Sequence, residues 1–154
     1  NHVQQIIIKE RYHVLYEYHG YHGENGEIHG EIQMIDKTNK GYHKLILWQK
    51  LKELLKLTYQ LTNKLPKSEG FALVPQMRRA IVSVISNFVE GYLKSSMKDK
   101  HRFMEIAQTS LMELEAQSEV CLMLGYWTNY DYETFDKKRS EVGYFLYRYK
   151  LSLR

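Results

Sequence analysis

The sequence predicts an all-α protein, an up-and-down antiparallel four-helix bundle over residues 43–154 behind a non-helical extension of residues 1–40. Three observations lead there. From Gly41 onward, apolar residues recur at steps of three, four and seven, the period of a helix with one buried stripe. Turn and cap signals divide that pattern into four segments. The links are short, so the stripes are buried together only if sequential helices pack antiparallel.

The first stripe is Leu47, Leu51, Leu54, Leu61 and Leu65, with Thr58 in the missing place. Leu65-Pro66 is expected to end this helix, because proline disfavours helical geometry in the residue before it. Lys67-Ser68-Glu69-Gly70 reads as a tight polar reversal. The second helix starts around Phe71 to Pro75, since a first-turn proline loses no hydrogen bond there. Its stripe is Met77, Ile81, Val84 and Phe88, backed by Ile85 and Val89.

Ser96 with Asp99 three residues later resembles a capping box and starts a third helix, running from about Met97 to Leu124. Its seam is Phe103, Ala107, Ser110, Leu114, Gln117, Cys121 and Leu124, and Gly125 can stop it with a left-handed cap. Asn129 or Asp131 is expected to cap the fourth helix, whose stripe is Phe135, Val142, Leu146, Tyr149 and Leu153.

Residues 1–40 have a different character. They carry four Lys/Arg against six Asp/Glu, a net of −2, which leaves +6 for residues 41–154. They also hold five of the seven histidines, and the composition breaks near Asn39-Lys40-Gly41. Gln5 to Tyr18 and Glu27 to Ile35 read as two strands joined through Glu24-Asn25-Gly26, because Asn-Gly takes the positive φ angles of a hairpin turn. Partial disorder is the other reading of this segment. An isolated hairpin is marginal in water, so this one would need the bundle or a neighbouring subunit to pack on.

Size and composition bound the function. A chain of 154 residues is one domain's worth, and 44% hydrophobic with 26% charged residues is ordinary for a globular protein. No apolar run approaches the roughly 20 residues that span a bilayer. Ile6-Ile7-Ile8 is followed at once by Lys9-Glu10-Arg11, so no secretory signal is expected. Cys121 is the only cysteine and stands among Val120, Leu122 and Met123, the setting of a buried free thiol. These features point to a reducing cytoplasm. Asn1 in place of Met points to a chain trimmed from a longer one.

No catalytic set is visible. A di-iron bundle needs two Glu-x-x-His pairs facing its core, whereas Glu10 to His13 is the one such pair and lies in the extension. Four-helix ribonuclease toxins place His four to six residues after Arg on one helix, and no such pair occurs here. His13, His19, His22 and His29 are irregularly spaced and read as polar or strand residues rather than as a metal site. No phosphate loop or Ser/His/Asp set emerges. An enzyme, a metal and a cofactor are therefore not expected.

The unusual feature is polar residues on apolar faces. Ser83, Asn87 and Glu90 share a face of the second helix, and Ser110, Glu113 and Gln117 share one of the third. These ladders are expected to pair between helices and fix their register, because an orphaned buried polar group costs about 1–3 kcal/mol. The alternative is an interface or ligand-facing strip.

Two stretches carry a family resemblance. The run from Phe71-Ala72-Leu73 through Gln76-Met77-Arg78-Arg79-Ala80 to Ser83-Val84-Ile85-Ser86-Asn87-Phe88-Val89-Glu90-Gly91 is the first. The second is Phe103 to Gln117, with Ser110-Leu111-Met112-Glu113-Leu114-Glu115 at its centre and Leu124-Gly125-Tyr126 following. Together they resemble the bacterial four-helix bundle proteins encoded by intervening sequences of large-subunit ribosomal RNA, over about residues 43–150. Gln108-Thr109 departs from the pattern, where the family more often has Gly, and residues 1–40 match nothing in it. Such proteins are similar to the accessory variability determinant of diversity-generating retroelements, a pentameric bundle that binds a reverse transcriptase and nucleic acid. The resemblance implies a homopentamer with a basic surface for RNA or DNA, and it carries over no catalytic residue.

Two functions from different classes follow. The first is a non-catalytic nucleic-acid-binding accessory protein whose Lys and Arg neutralise phosphates. The candidates are Lys44, Lys50, Lys52, Lys56, Arg78, Arg79, Lys94, Lys98, Lys100, Arg102, Lys137, Lys138 and Arg139. The second is a protein assembly or scaffold module with Trp48, Tyr126, Trp127 and Tyr130 at its contacts. A closed homo-oligomer is expected in either case, because Ile46, Trp48, Leu55, Tyr144, Phe145 and Tyr147 widen the apolar surface beyond one seam.

Overall fold

The computed structural model describes residues 7–9, 15–22, 28–35 and 41–153. The chain divides into two compact units, Asn1–Gly41 and Tyr42–Arg154. The first contains an antiparallel sheet of β1 (Ile7–Lys9), β2 (Leu15–His22) and β3 (Ile28–Ile35), in that order. Its register pairs Ile8 with Tyr16, and Leu15 with Ile35 through to His22 with Ile28. The strand expected over Gln5 to Tyr18 is thus two strands, and the second continues to His22. A single strand of that length would exceed the usual 5 or 6 residues and outrun its eight-residue partner β3. The expected Glu24-Asn25-Gly26 turn and the Glu10–His13 pair lie outside the described residues.

The second unit opens with a 3-10 turn at Tyr42–Lys44, followed by α1 (Ile46–Thr62), a 3-10 segment at Lys67–Phe71, α2 (Leu73–Leu93), α3 (Met97–Met123) and α4 (Asn129–Ser152). Each helix packs on its neighbour in sequence and α4 returns to α1, which closes the four-helix bundle. The predicted stripes form the core: Leu51, Leu54, Met77, Ile81, Val84, Phe88, Leu114, Phe135, Val142 and Leu146 are all fully buried. Thr58 is buried among them with its hydroxyl donating to the Leu54 carbonyl at 2.7 Å, so the core contains no orphaned hydroxyl there.

Four boundaries differ from expectation, each for a local reason. Helix α1 ends at Thr62 rather than at Leu65, because the Leu61 carbonyl accepts from the indole N–H of buried Trp127 (3.2 Å) and from the Lys64 amide (3.1 Å). Leu65 is still buried, in the turn that follows. The link at Lys67–Gly70 is a 3-10 segment whose Glu69 carboxylate accepts from the first free amide of α2, at Leu73 (3.3 Å). The cap of α4 is Thr128, not Asn129 or Asp131: Thr128 Oγ1 accepts from the Asp131 amide while the Asp131 carboxylate accepts from the Thr128 amide, a full capping box. Leu124 is exposed, because α3 stops one residue earlier and the chain turns away at Gly125, whose φ is +69°. There Tyr126 N–H donates to the Cys121 carbonyl and Gly125 N–H to that of Leu122, the two bonds of a Schellman ending.

The seam of α3 is also wider than predicted. Met104, Leu111 and Ser118 are buried beside the expected positions, since α3 presents one flank to α2 and another to α4. Helix α2 comes close to α3 at Gly91. A Cβ built there would stand 2.8 Å from Phe103 Cβ and 2.5 Å from Met104 Cε, so only glycine leaves room for the α2–α3 hairpin as folded.

Candidate nucleic-acid interface

The antiparallel arrangement gives the bundle two unlike ends. One end gathers the start of α1, the α2–α3 turn and the finish of α4, tied by His101 Nε2 against the Leu153 carbonyl (3.0 Å) and by rings of Tyr42, Phe88, Tyr92 and Tyr149. Residues 42–46, 89–106 and 147–153 at this end carry seven Lys/Arg and three Asp/Glu, a net of +4. The opposite end, residues 59–78 and 119–134, carries three basic and four acidic residues, a net of −1. The positive charge of the bundle is therefore polarised along its axis.

Ion pairing sorts the predicted cations further. Lys50 binds Glu141 at 2.7 Å and Lys138 binds Glu53 at 2.8 Å, a cross-link between α1 and α4. The hydrogen bond from Lys50 to Glu141 raises the lysine pKa, and that from Lys138 to Glu53 lowers the carboxyl pKa. Arg139 spans Glu115 on α3 and Asp136 on its own helix at 3.0 and 2.6 Å. Arg78 donates to Thr62 Oγ1 and Asn63 Oδ1 and lies over the Tyr59 ring, so it closes the end of α1. These four predicted binders hold helices together.

Lys44, Lys52, Lys56, Arg79, Lys98, Lys100, Arg102 and Lys137 form no ion pair among the described residues. Lys98, Lys100 and Arg102 occupy the first turns of α3, while Lys94 pairs with Glu90 at 3.1 Å across the end of α2. Lys44 lies at the same end, and so does Arg148, which the sequence reading passed over. Arg148 is single and local in sequence, and only the return of α4 to this end places it beside the others.

The polar ladders meet at one rung. Ser83 and Ser110 hydroxyls lie 2.8 Å apart across α2 and α3, and Asn87 Nδ2 donates back to the Ser83 carbonyl and hydroxyl at 2.8 and 3.1 Å. Glu90 turns to Lys94 on its own helix, and Glu113 is exposed. Beside the rung is an open cleft of about 300 Å³ lined by Gln76, Arg79, Ala80, Ser83, Glu113 and Gln117. Gln117 Oε1 is buried at its edge with no hydrogen-bond partner among the described residues.

The proposed contact aromatics divide as well. Trp127 is in the core, and Tyr126 donates its hydroxyl to Glu69 at 3.0 Å, a bond that raises the phenol pKa. Trp48 packs partly buried against Tyr42. Tyr130 projects into solvent at 76% exposure, and Phe71, Met123 and Leu124 are likewise exposed at the same, less basic end. Of the residues expected to widen the apolar surface, Trp48, Leu55 and Phe145 are half-buried while Ile46, Tyr144 and Tyr147 are exposed.

Among the described residues, no group of His, Cys, Asp and Glu is placed to hold a metal, and no helix is long and apolar enough to cross a membrane. No curated protein matches the chain. A solved structure of a protein of unknown function from the S23 ribosomal protein family of Bacteroides thetaiotaomicron is similar in fold, with a TM-score of 0.63 and 22% identity over 68% of this chain and 98% of that one. The family model described as 23S rRNA-intervening sequence protein matches residues 43–148, nearly the whole bundle with both polar ladders and the α2–α3 turn, and the chain belongs to that family.

Proposed function

We propose that this protein is a non-catalytic, cytoplasmic accessory protein that binds RNA or DNA through the basic end of its bundle, as a homo-oligomer. The observation that carries this reading is the axial polarisation of charge: five cations at one end, Lys44, Lys98, Lys100, Arg102 and Arg148, have no acidic partner among the described residues. Each phosphate neutralised releases counterions, so affinity through five such contacts falls with a log–log salt slope of roughly −4 to −5 on duplex. Binding of this kind follows charge rather than base sequence. The resemblance to retroelement accessory determinants supports a pentamer and a reverse transcriptase as its protein partner. A ring of subunits would set several basic ends side by side and multiply weak contacts by avidity.

The test is a pair of charge reversals. In the variant Lys98→Glu with Arg102→Glu, the first change places an acid in the first turn of α3, where the helix N-terminus favours it, and neither Lys98 nor Arg102 forms an ion pair among the described residues, so folding is not the expected casualty. This variant should lower the salt slope by about two and weaken RNA and DNA alike. Lys52→Glu with Lys56→Glu, on the side of the bundle, should do markedly less. Equal losses in both variants, or no gel shift by the parent protein at low salt, would refute the reading.

A second reading is favoured by the opposite end. Phe71 at 99%, Tyr130 at 76%, Met123 at 74% and Leu124 at 56% exposure leave apolar groups facing water where basic charge is scarce. Such an end suits a protein contact, and the bundle would then act as an assembly or scaffold module. Normal partner capture with complete loss of nucleic-acid binding after charge reversal would favour it.

A further inference from the structure

We propose that the last turns of α4 form a stacking platform for unpaired nucleotides, which makes single strands or loops the ligand of the basic end. The inference rests on the nucleic-acid reading above and specifies the form of nucleic acid.

Tyr144 and Tyr147 are each 54% exposed, whereas Phe135 on the same helix is fully buried. With Arg148 and Leu151 they line an open cleft of about 580 Å³. Steps of three and four along α4 put these four side chains on one outward face. Tyr147 makes no ring contact, hydrogen bond or ion pair among the described residues, so its ring is committed to no other polar or aromatic group there. Tyr144 is braced edge-on by Phe145 at 5.2 Å, and Arg148 donates from Nη1 to its hydroxyl at 3.1 Å. That bond leaves other guanidinium N–H groups for a phosphate.

The neighbouring charges decide the occupant. Arg148 forms no ion pair among the described residues, and the nearby Lys150 reaches across to Glu105 on α3. The carboxylate one turn back, Glu141, is taken by Lys50 on α1. The patch is thus aromatic and cationic with its acids neutralised, and it lies at the same end of the bundle as the α2–α3 turn. Aromatic faces flanked by cations suit unpaired bases, which stack whatever their sequence while the backbone follows the positive charge. A duplex keeps its bases stacked on one another and can offer this surface only its phosphates.

The experiment compares an unstructured oligouridine with a matched RNA duplex by fluorescence anisotropy at one salt concentration. Tyr144→Ala and Tyr147→Ala should each weaken oligouridine binding by about 5- to 100-fold and leave duplex affinity unchanged. Tyr144→Phe should retain most of the affinity, because the ring remains. Tyr130→Ala, an exposed tyrosine at the opposite end, should have no effect. Equal loss on both ligands, or no loss on either while the parent binds both, would overturn the platform and leave the basic end standing. Failure of the parent to bind either ligand would sink both readings. A lower assembly mass for the alanine variants in light scattering would mean that a second copy covers this face, which also overturns the platform.

Discussion

Gly91→Ala is a direct test of how α2 and α3 meet. The new methyl carbon would stand 2.8 Å from Phe103 Cβ, 2.5 Å from Met104 Cε and 3.4 Å from the Lys100 carbonyl oxygen. Carbon atoms in contact prefer about 3.5–4.0 Å. The Met104 terminus can swing aside, but Phe103 Cβ is fixed to its helix backbone, so the helices must part by roughly 1 Å. Overpacking of this kind costs about 1–3 kcal/mol. Alanine recovers about 0.5–1 kcal/mol of that through its better helix propensity. The net is a destabilisation of about 1 kcal/mol, or roughly 4 °C in melting temperature for a unit of this size. Gly70→Ala supplies the comparison, because no atom lies within 4 Å of a Cβ there. Thermal melts followed by circular dichroism should rank Gly91→Ala below the parent and Gly70→Ala at or above it. A Gly91→Ala protein that melts no lower than the parent would refute the close approach and the account of Gly91 built on it.

Other perturbations read the same bundle at different points. Asp131 is nearly buried, and the hydrogen bond from Lys64, aided by the Thr128 amide and hydroxyl, holds its pKa below the ordinary 3.8. Its contribution is complete above that ordinary value and is lost as pH falls through the lower folded one, so Asp131→Asn should flatten the loss of stability below about pH 4 in acid titrations. Thr128→Ala removes the other half of the capping box and should cost about 1 kcal/mol in urea denaturation. Burial pushes the Cys121 thiol up to about 12, so it should resist iodoacetamide in the folded protein and react on unfolding. Above pH 9 the unfolded chain ionises this thiol while the folded one keeps its proton, and stability should decline toward pH 12. Glu113→Leu removes an exposed carboxylate and should leave a single bundle's stability within about 0.5 kcal/mol of the parent. A change in its mass by light scattering would then mark the polar cleft as a contact between copies.

The helices were legible because their stripes are local: Met77, Ile81, Val84 and Phe88 announce one buried face without reference to any other segment. Ends were less legible. Thr128, Asn129 and Asp131 can all cap a helix, and the reciprocal bond that singles out Thr128 is visible only once the backbone there is extended. Leu65-Pro66 marks a stop that the chain reaches after the helix has already ended, because Trp127, far along the sequence, occupies the Leu61 carbonyl. Met104 and Leu111 escaped a one-seam reading because α3 touches two neighbours. The candidate site was less legible still. Lys50, Lys138 and Lys98 look alike in sequence, and what separates them is whether Glu141 or Glu53 arrives from a distant helix.

Helix dipoles do not explain the basic end. At that end α1 and α3 present their N-termini while α2 and α4 present their C-termini, so the partial charges of about +0.5 and −0.5 cancel in pairs. The field there comes from side chains alone, and it is set by which carboxylates are absent. The ion pairs Lys50–Glu141 and Lys138–Glu53 between α1 and α4, and Arg139–Glu115 between α3 and α4, each consume a lysine or arginine along the sides of the bundle. Of the cations left without an ion pair among the described residues, Lys52, Lys56, Arg79 and Lys137 stand along the helices, and Lys44, Lys98, Lys100, Arg102 and Arg148 stand at the end where α2 turns into α3. The pairing that holds the bundle together thereby also leaves Lys98, Lys100 and Arg102 unmatched on the first turns of α3. A uniform basic coat would screen out residue by residue. Cations gathered at one end act together toward a phosphate backbone, which makes the binding reading depend on the fold and not on net charge alone.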